Sequence, residues 1–471
     1  MSLFAFKYSI ILSLLLTVQF AFANQARLLV SDNDALSTRI ELIQNAKSEI
    51  LVEYFSIWND DQVVNIFAVL LKAAQRGVKV KLIMDSLASS VPRSLISLLK
   101  TKGIDSKGIE NFEIKVYNPP GLNFFNINSR NHSKMLIVDQ KTVINGGRNM
   151  VDKYFGFNKN RNYIDLDVII SGEIVKAAHA NFFKVWNSPV VNLPLLYEND
   201  PIRMAQNSCQ HVKDNYESEC ENLRNSAIKQ YKNELFRIEE SMKKIDEQIG
   251  HNSVLDFVSE KSQGTFFSEA ISIDFLSHEP GQLVSKQTNS MTAQILNQLA
   301  GAKEEVLVVS PYVILEPEWY NVFSQLLNKG VQVKLITNGL RSTDSFFAQS
   351  GYRAEKKKMS EMGIEIYEYN GPNTMHAKGF LIDRSKAIIG TFNLDPRSMY
   401  INREVGFVIA GNHQLNSDYL NFFNDLVANS TVVAKNKKQL NTDQDFNGVP
   451  AHGKFILNFS NLILPFIRHL L

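Results

Sequence analysis

The chain has 471 residues, 44% apolar and 21% charged, a composition that excludes a disordered or fibrous polypeptide and leaves room for two or three cores. Its 50 Lys and Arg against 48 Asp and Glu give a net charge of +2, which excludes a uniformly basic nucleic-acid coat but not a local basic cleft. Two cysteines cannot form an all-cysteine zinc site or a disulfide scaffold.

At the start of the chain, Lys7, the apolar run Ile10 to Phe20 and Ala21-Phe22-Ala23 carry the three regions of a signal peptide. Cleavage after Ala23 and export to the periplasm or beyond are expected; the other reading is an uncleaved N-terminal anchor. Export would place Cys209 and Cys220 in an oxidising compartment, where they would form a disulfide closing a short loop rather than two free thiols.

The body begins with Ile50 to Phe55, a short apolar and β-branched run that predicts a strand. Asp61 to Gln75 has apolar residues at helical spacing and runs into Gly77, and Val78 to Met84 reads as the next strand. Strand, helix, strand implies a parallel pair with a crossover helix. The same unit returns later. Ala46 to Val52 recurs as Ala302 to Val308, Arg76 to Ile83 as Lys329 to Ile336, and His132-Ser133-Lys134 as His376-Ala377-Lys378, at nearly constant separation. The second copy predicts strands at Val306 to Val309 and Val331 to Thr337 around a helix at Trp319 to Leu327. A duplicated domain follows. The expected fold is therefore α/β, two tandem α/β sandwiches related by a pseudo-twofold axis. The expected divisions are a signal peptide at 1–23, a first domain at 24–199, a helical insert at 200–263, a second domain at 264–430 and a tail at 431–471. In the insert, Ile228, Tyr231, Leu235, Ile238, Met242, Ile245 and Ile249 alternate three and four residues apart and end at Gly250. That stripe predicts either an amphipathic helix laid on a domain surface or a coiled-coil dimer contact, so monomer and dimer both stand.

Two matching constellations carry the chemistry. The first is His132, Lys134, Asp139 and, after Gly146-Gly147-Arg148, Asn149; the second is His376, Lys378, Asp383 and, after Gly390-Thr391-Phe392, Asn393. Met135 to Val138 and Gly379 to Ile382 look like strands, and His and Lys two apart in a strand share a face. Each half then offers an imidazole, an ammonium and a carboxamide together. That set suits a phosphodiester: Lys and Asn for its oxygens, imidazole to attack phosphorus or move a proton near neutral pH. In-line displacement needs a nucleophile and an acid on opposite sides, and two half-sites supply both without metal or cofactor. Each imidazole also needs an orienting acceptor. Asp165 follows His132 in the first half and Glu404 follows His376 in the second, and both suit that role. Asp139 and Asp383 are expected to bond within their own turns.

These paired H-x-K-x4-D blocks resemble the phospholipase D superfamily. More narrowly, Asn131 to Lys134, Gly146 to Asn149, Thr337 to Asp344 and Asn393 to Ser398 are similar to bacterial cardiolipin synthases without two N-terminal membrane helices. The likeness covers about residues 46–186 and 283–411. Ser133 stands where many of those enzymes carry a basic residue, and Gly339 where they usually carry Ser. The resemblance implies a phosphohistidine intermediate, with His132 as nucleophile, His376 as acid/base, and Lys134, Lys378, Asn149 and Asn393 on the phosphoryl oxygens; the sequence is nearly symmetric, so the swapped assignment stays open. The implied activity is phosphatidyl transfer to a lipid alcohol or to water, on a phospholipid substrate. A phosphodiesterase or nuclease on the same scaffold is the alternative, disfavoured by the near-zero net charge, and a catalytically silent membrane-associated binding protein is a further one. Finally, residues 455–471 are too apolar for a free tail yet hold Asn458, Ser460, Asn461 and Pro465, so they predict either a segment docked on the core or a peripheral membrane anchor.

Overall fold

The computed structural model describes residues 24–119, 128–193, 217–250, 268–279, 290–435, 438–439, 449–451, 453–457 and 459. The expected signal peptide, Cys209 with the Cys220 side chain, and most of the last apolar run lie outside them. Among the described residues no helix is long and apolar enough to cross a membrane.

The first half contributes strands β1 (Gln25–Leu29), β2 (Glu49–Tyr54), β3 (Lys79–Asp85), β4 (Phe112–Tyr117), β5 (Lys134–Val138), β6 (Thr142–Gly146), β7 (Tyr163–Ile164), β8 (Asp167–Ser171) and β9 (Val191–Asn192). The second contributes β10 (Ser268–Glu269), β11 (Ser272–Ser277), β12 (Glu305–Val309), β13 (Gln332–Asn338), β14 (Glu365–Tyr369), β15 (Thr374–Met375), β16 (Gly379–Ile382), β17 (Lys386–Gly390), β18 (Val405–Ala410), β19 (Ser430–Lys435) and β20 (Lys438–Gln439). One sheet runs β10-β1-β8-β6-β5-β2-β3-β4-β9 and the other β11-β18-β17-β16-β12-β13-β14-β19-β20. The two orders match strand for strand from β1 and β11 onward, which is the duplication seen as topology. In each, the strand–helix–strand unit gives a parallel pair, β2 with β3 and β12 with β13. The halves do not divide cleanly along the chain: β10 pairs with β1 at the edge of the first sheet, and the second sheet continues past residue 430 through β19 and β20.

The helices that matter here are α1 (Asp61–Gln75), α2 (Arg93–Lys102), α3 (Val175–Trp186), α4 (Glu217–Gly250), α5 (Pro317–Asn328) and α6 (His413–Ala428). One face of each sheet meets the other half in a shared core, where Ile137, Val143 and Ile170 pack with Leu381, Ile389 and Phe407 between α3 and α6. The outer faces carry separate cores. The equivalent crossover helices differ. In α5 only Trp319, Tyr320, Phe323 and Leu326 are buried, the single stripe of a surface helix. In α1, Val63, Val64, Ile66, Phe67 and five further apolar or small residues from Ala68 to Ala73, with Ala74, are buried nearly all round. The cause is α4, which lies across α1 and α2. Its stripe is spent there: Ile238 and Ile245 are buried in the first core, with Tyr231, Leu235 and Met242 packed on it. Arg237 to Asp61 and Asn59 to Glu234 fix the register. The described part of the insert is thus an amphipathic helix laid on a domain surface, with its apolar face from Tyr231 to Ile245 covered within the chain.

Candidate active site

The two H-x-K segments do not lie within strands. β5 starts at Lys134 and β16 at Gly379, so each His sits where the chain has left its sheet to reach the other half. Asn131 bridges in parallel to Arg403, and the His132 N–H donates to the Arg403 carbonyl at 3.0 Å. The matching segment β15 pairs in parallel with β7, and the His376 N–H donates to the Ile164 carbonyl at 2.7 Å. Each His is thereby set beside the residue that precedes the other half's acidic group.

The consequence corrects the pairing read within each half. His132 Nδ1 lies 2.9 and 3.0 Å from the two Glu404 oxygens, and His376 Nδ1 lies 2.7 Å from Asp165 Oδ2. Both carboxylates cross over: the acid after each motif serves the imidazole of the other copy. Both pairs are buried. The glycines explain the approach. A Cβ on Gly147 would collide with the Asp165 carboxyl, so only Gly admits it. Thr391 takes the equivalent place in the second half, and its hydroxyl, with Ser398 Oγ at 2.7 Å, donates to Glu404.

Lys134 Nζ donates to the His132 carbonyl at 2.7 Å, and Lys378 Nζ donates to the His376 carbonyl while lying 2.6 Å from that ring's Nδ1. The ammonium groups therefore stand behind the imidazoles. Burial and the repulsion of Lys378 lower Lys134 to about 7, and burial lowers Lys378 to about 8 against the pull of Asp165 and Asp344. Burial also pushes His132 down to about 4 against the pull of Glu404, and pushes His376 well down, with Lys378 adding to it. For Glu404 burial opposes ionisation, but His132 and Lys134 outweigh it and hold the carboxyl below its usual range. Burial raises Asp165 against Lys378 and Arg148.

A cavity of about 400 Å³ opens on this centre, lined by His132, Asn149, His376 and Asn393. Asn149 accepts from the Ser56 N–H and donates to Tyr154 OH at 2.9 Å, and Asn393 follows the hairpin of β16 and β17. Asp139 and Asp383 stand at the far ends of β5 and β16, each at a positive φ in a turn. Asp139 accepts from the Lys47, Ser48 and Glu49 N–H groups, and Asp383 from those of Lys303, Glu304 and Glu305. They tie hairpins to the starts of β2 and β12 and do not line the cavity.

Several lining residues escaped the sequence reading. Tyr154, Tyr163 and Tyr312 surround the His376 ring edge-on at 5.1 to 6.4 Å, and the Tyr163 and Tyr312 hydroxyls both donate to Asp344 at 2.9 Å. Lys153 sits over the Tyr163 ring at 4.6 Å. A signal for Tyr163 existed, since it lies two residues before Asp165. At position 133 the Ser hydroxyl, wholly buried, accepts from Arg403, which also bonds Glu53 and Asn131. The second half thus supplies a cation beside that position.

The family described as "Cardiolipin synthase, PLD-like domain" matches residues 39–186 and 295–427. The chain belongs to this family. Among its relatives, cardiolipin synthase C of Escherichia coli K12 is 27% identical over 404 residues, 80% of this chain and 79% of that one. An uncharacterized protein of Helicobacter pylori 26695 is 26% identical over 407 residues, 81% and 75% of the two chains. The crystal structure of phosphatidylserine synthase from Haemophilus influenzae superposes with a TM-score of 0.66 over 95% of both chains at 16% identity, a likeness of fold. The two-sheet α/β architecture of this cardiolipin synthase-like chain is shared with that structure.

Proposed function

We propose that the chain is a phosphatidyltransferase that works through a phosphohistidine on His132, taking a glycerophospholipid as donor and a lipid alcohol or water as acceptor. The observation that carries this is one cavity lined by two imidazoles, each with Nδ1 held by a buried carboxylate from the opposite half. Glu404 receives the His132 Nδ1–H, so the Nε2 lone pair, which takes no hydrogen bond among the described residues, is available to attack phosphorus. As the N–P bond forms, the P–O bond to the first alcohol breaks, and the proton on His376 passes to that oxygen. His376 then removes the proton of the incoming alcohol or water, whose oxygen attacks phosphorus while the N–P bond breaks and His132 is restored. Burial and then Lys378 hold the free His376 imidazole low; the negative charge of the bound phosphodiester pulls it back up, favouring the protonated form in the complex. Lys134 and Lys378 supply the positive field, and Asn149 and Asn393 the nearest polar groups to the phosphoryl oxygens.

The test is purified full chain with labelled phosphatidylglycerol and with single-stranded DNA, chelator present, and products identified by mass spectrometry. Cardiolipin or phosphatidic acid from the lipid is the expected result. Cleavage of DNA with the lipid untouched would replace this reading by a nuclease, and no product from either would leave a silent binding protein.

A further inference from the structure

Resting on the phospholipid reading above, we infer that the rim of the cavity mouth is a surface that seats on an anionic bilayer, with Phe455 and Phe459 at its tip. A cavity of about 400 Å³ holds a headgroup and its phosphodiester but not two acyl chains, so the tails of a bound lipid stay outside it. What stands outside is apolar. Trp58 lines the cavity with its ring part-exposed, and Leu87 is exposed beside Ala88, whose carbonyl accepts from the Trp58 indole. Phe157 is exposed on the loop between the cavity residues Tyr154 and Tyr163. Phe347 is exposed between the cavity residues Ser345 and Ala348.

The C-terminal stretch completes the rim. Residues 453–457 are helical. Gly453 rests so close to Phe346 that a Cβ there would come within 2.6 Å of its ring, and Val449 and Leu457 bury against Leu340 and Phe346. One side is therefore docked on the loop that borders the cavity. The other side presents Phe455 and Phe459, one turn apart, stacked at 5.9 Å, and 68% and 47% exposed. The described part of this segment docks on the core and exposes two aromatic rings where a docked core segment would hide them. Soluble surfaces rarely gather large apolar side chains around one opening without a partner.

The charge on the rim selects the partner. Lys159, Arg161, Arg341 and Lys454 are exposed on the same segments, with Arg161 donating to the Arg341 carbonyl at 2.8 Å and so joining the two loops. Aromatic tips ringed by cations fit the boundary of an anionic leaflet, rings in the acyl region and cations at the headgroups. The sequence beyond residue 459 stays apolar through Leu462, Ile463, Leu464, Phe466 and Ile467 and adds Arg468.

The experiment is co-sedimentation of the full chain with vesicles of phosphatidylglycerol and phosphatidylcholine in equal parts, and with phosphatidylcholine alone. It is run on the native protein and on the double variant Phe455→Ser, Phe459→Ser. The native chain should bind the anionic vesicles, with the double variant about 10²-fold weaker, since each ring gives up burial worth roughly tenfold. Its turnover of short-chain monomeric phosphatidylglycerol should be unchanged. Equal binding by both proteins overturns the surface. So does a native dimer, found by analytical ultracentrifugation, that the double variant dissociates, because the rim would then be a contact between copies. Vesicle binding with no turnover of any phospholipid refutes the functional reading and leaves the surface standing, whereas turnover of the short-chain lipid without vesicle binding does the reverse.

Discussion

Glu404→Gln and Asp165→Asn separate the two imidazoles by their chemistry. Glu404 is buried, and both its oxygens lie within 3.0 Å of His132 Nδ1. Gln keeps the shape and an acceptor oxygen, so the tautomer survives and only the charge is lost. In the proposed mechanism that charge matters once His132 Nε2 bonds to phosphorus and the ring becomes cationic. At about 4 Å and an effective dielectric of about 20, the lost attraction is about 4 kcal/mol, or about 10³-fold in the rate of forming the covalent intermediate. Asp165→Asn removes the corresponding charge from His376, whose proposed task is to protonate the departing alcohol. A p-nitrophenyl phosphodiester leaves without that proton. Stopped-flow release of p-nitrophenolate should therefore be fast for Asp165→Asn and about 10³-fold slowed for Glu404→Gln, while both variants are slow on a phospholipid. If Glu404→Gln were the variant rescued, and Asp165→Asn the one that stayed slow, the roles of the two imidazoles would be exchanged. If neither carboxyl mattered by more than a few-fold, the crossed pairing would have no chemical function.

Gly339→Ser, the residue the family resemblance implies at this position, puts a Cβ into the Asn370 side chain and should cost about 1–3 kcal/mol in chemical denaturation, recovered by adding Asn370→Ala. Ile238→Ala, at a side chain 1% exposed on the buried face of α4, should cost about 2–5 kcal/mol with no change in sedimentation coefficient; a change of oligomeric state instead would return the coiled-coil reading of that helix. With Lys134 near 7 and Lys378 near 8, both are charged below neutrality and lose their protons as pH rises. The value of kcat/KM should fall with rising pH across that window, because the free site loses the field that draws phosphate, and Lys134→Arg should move the fall to higher pH. A flat profile from pH 6 to 9 would contradict the buried ammonium pair.

Much of the fold was legible because it is written twice. The repeated Ala46 to Val52 and Arg76 to Ile83 blocks mark β2, β3, β12 and β13, and Asp61 to Gln75 marks α1 residue for residue. The stripe of the insert was legible as a helix, but that it covers α1 and α2 is seen only in the fold. The acidic partners were legible as residues but not as pairs. A repeat shows that each copy has an imidazole and a carboxylate, and says nothing of which copy closes on which. Nor could strand periodicity foresee that the chain leaves β5 and β16 at the reactive residue, since that departure is dictated by backbone bonds to Arg403 and Ile164. Tyr154 and Tyr312 come from segments remote in sequence with unremarkable local patterns, whereas Asp344 ends the Thr337 to Asp344 block that carried the resemblance.

The crossed carboxylates also bear on how such a site behaves on dilution. Two separate half-length chains would each hold an imidazole lacking its acceptor, and would have to find one another before either was correctly oriented. One covalent chain holds the second half near the first at an effective concentration of about millimolar, whatever the amount of protein present. Orientation of the two imidazoles is then independent of dilution. It also means that neither copy can drift alone: a change that swings Asp165 away spoils the His376 of the other copy, and a change at Glu404 spoils His132. The two halves are bound to vary as reciprocal pairs, 132 with 404 and 376 with 165, rather than as independent repeats.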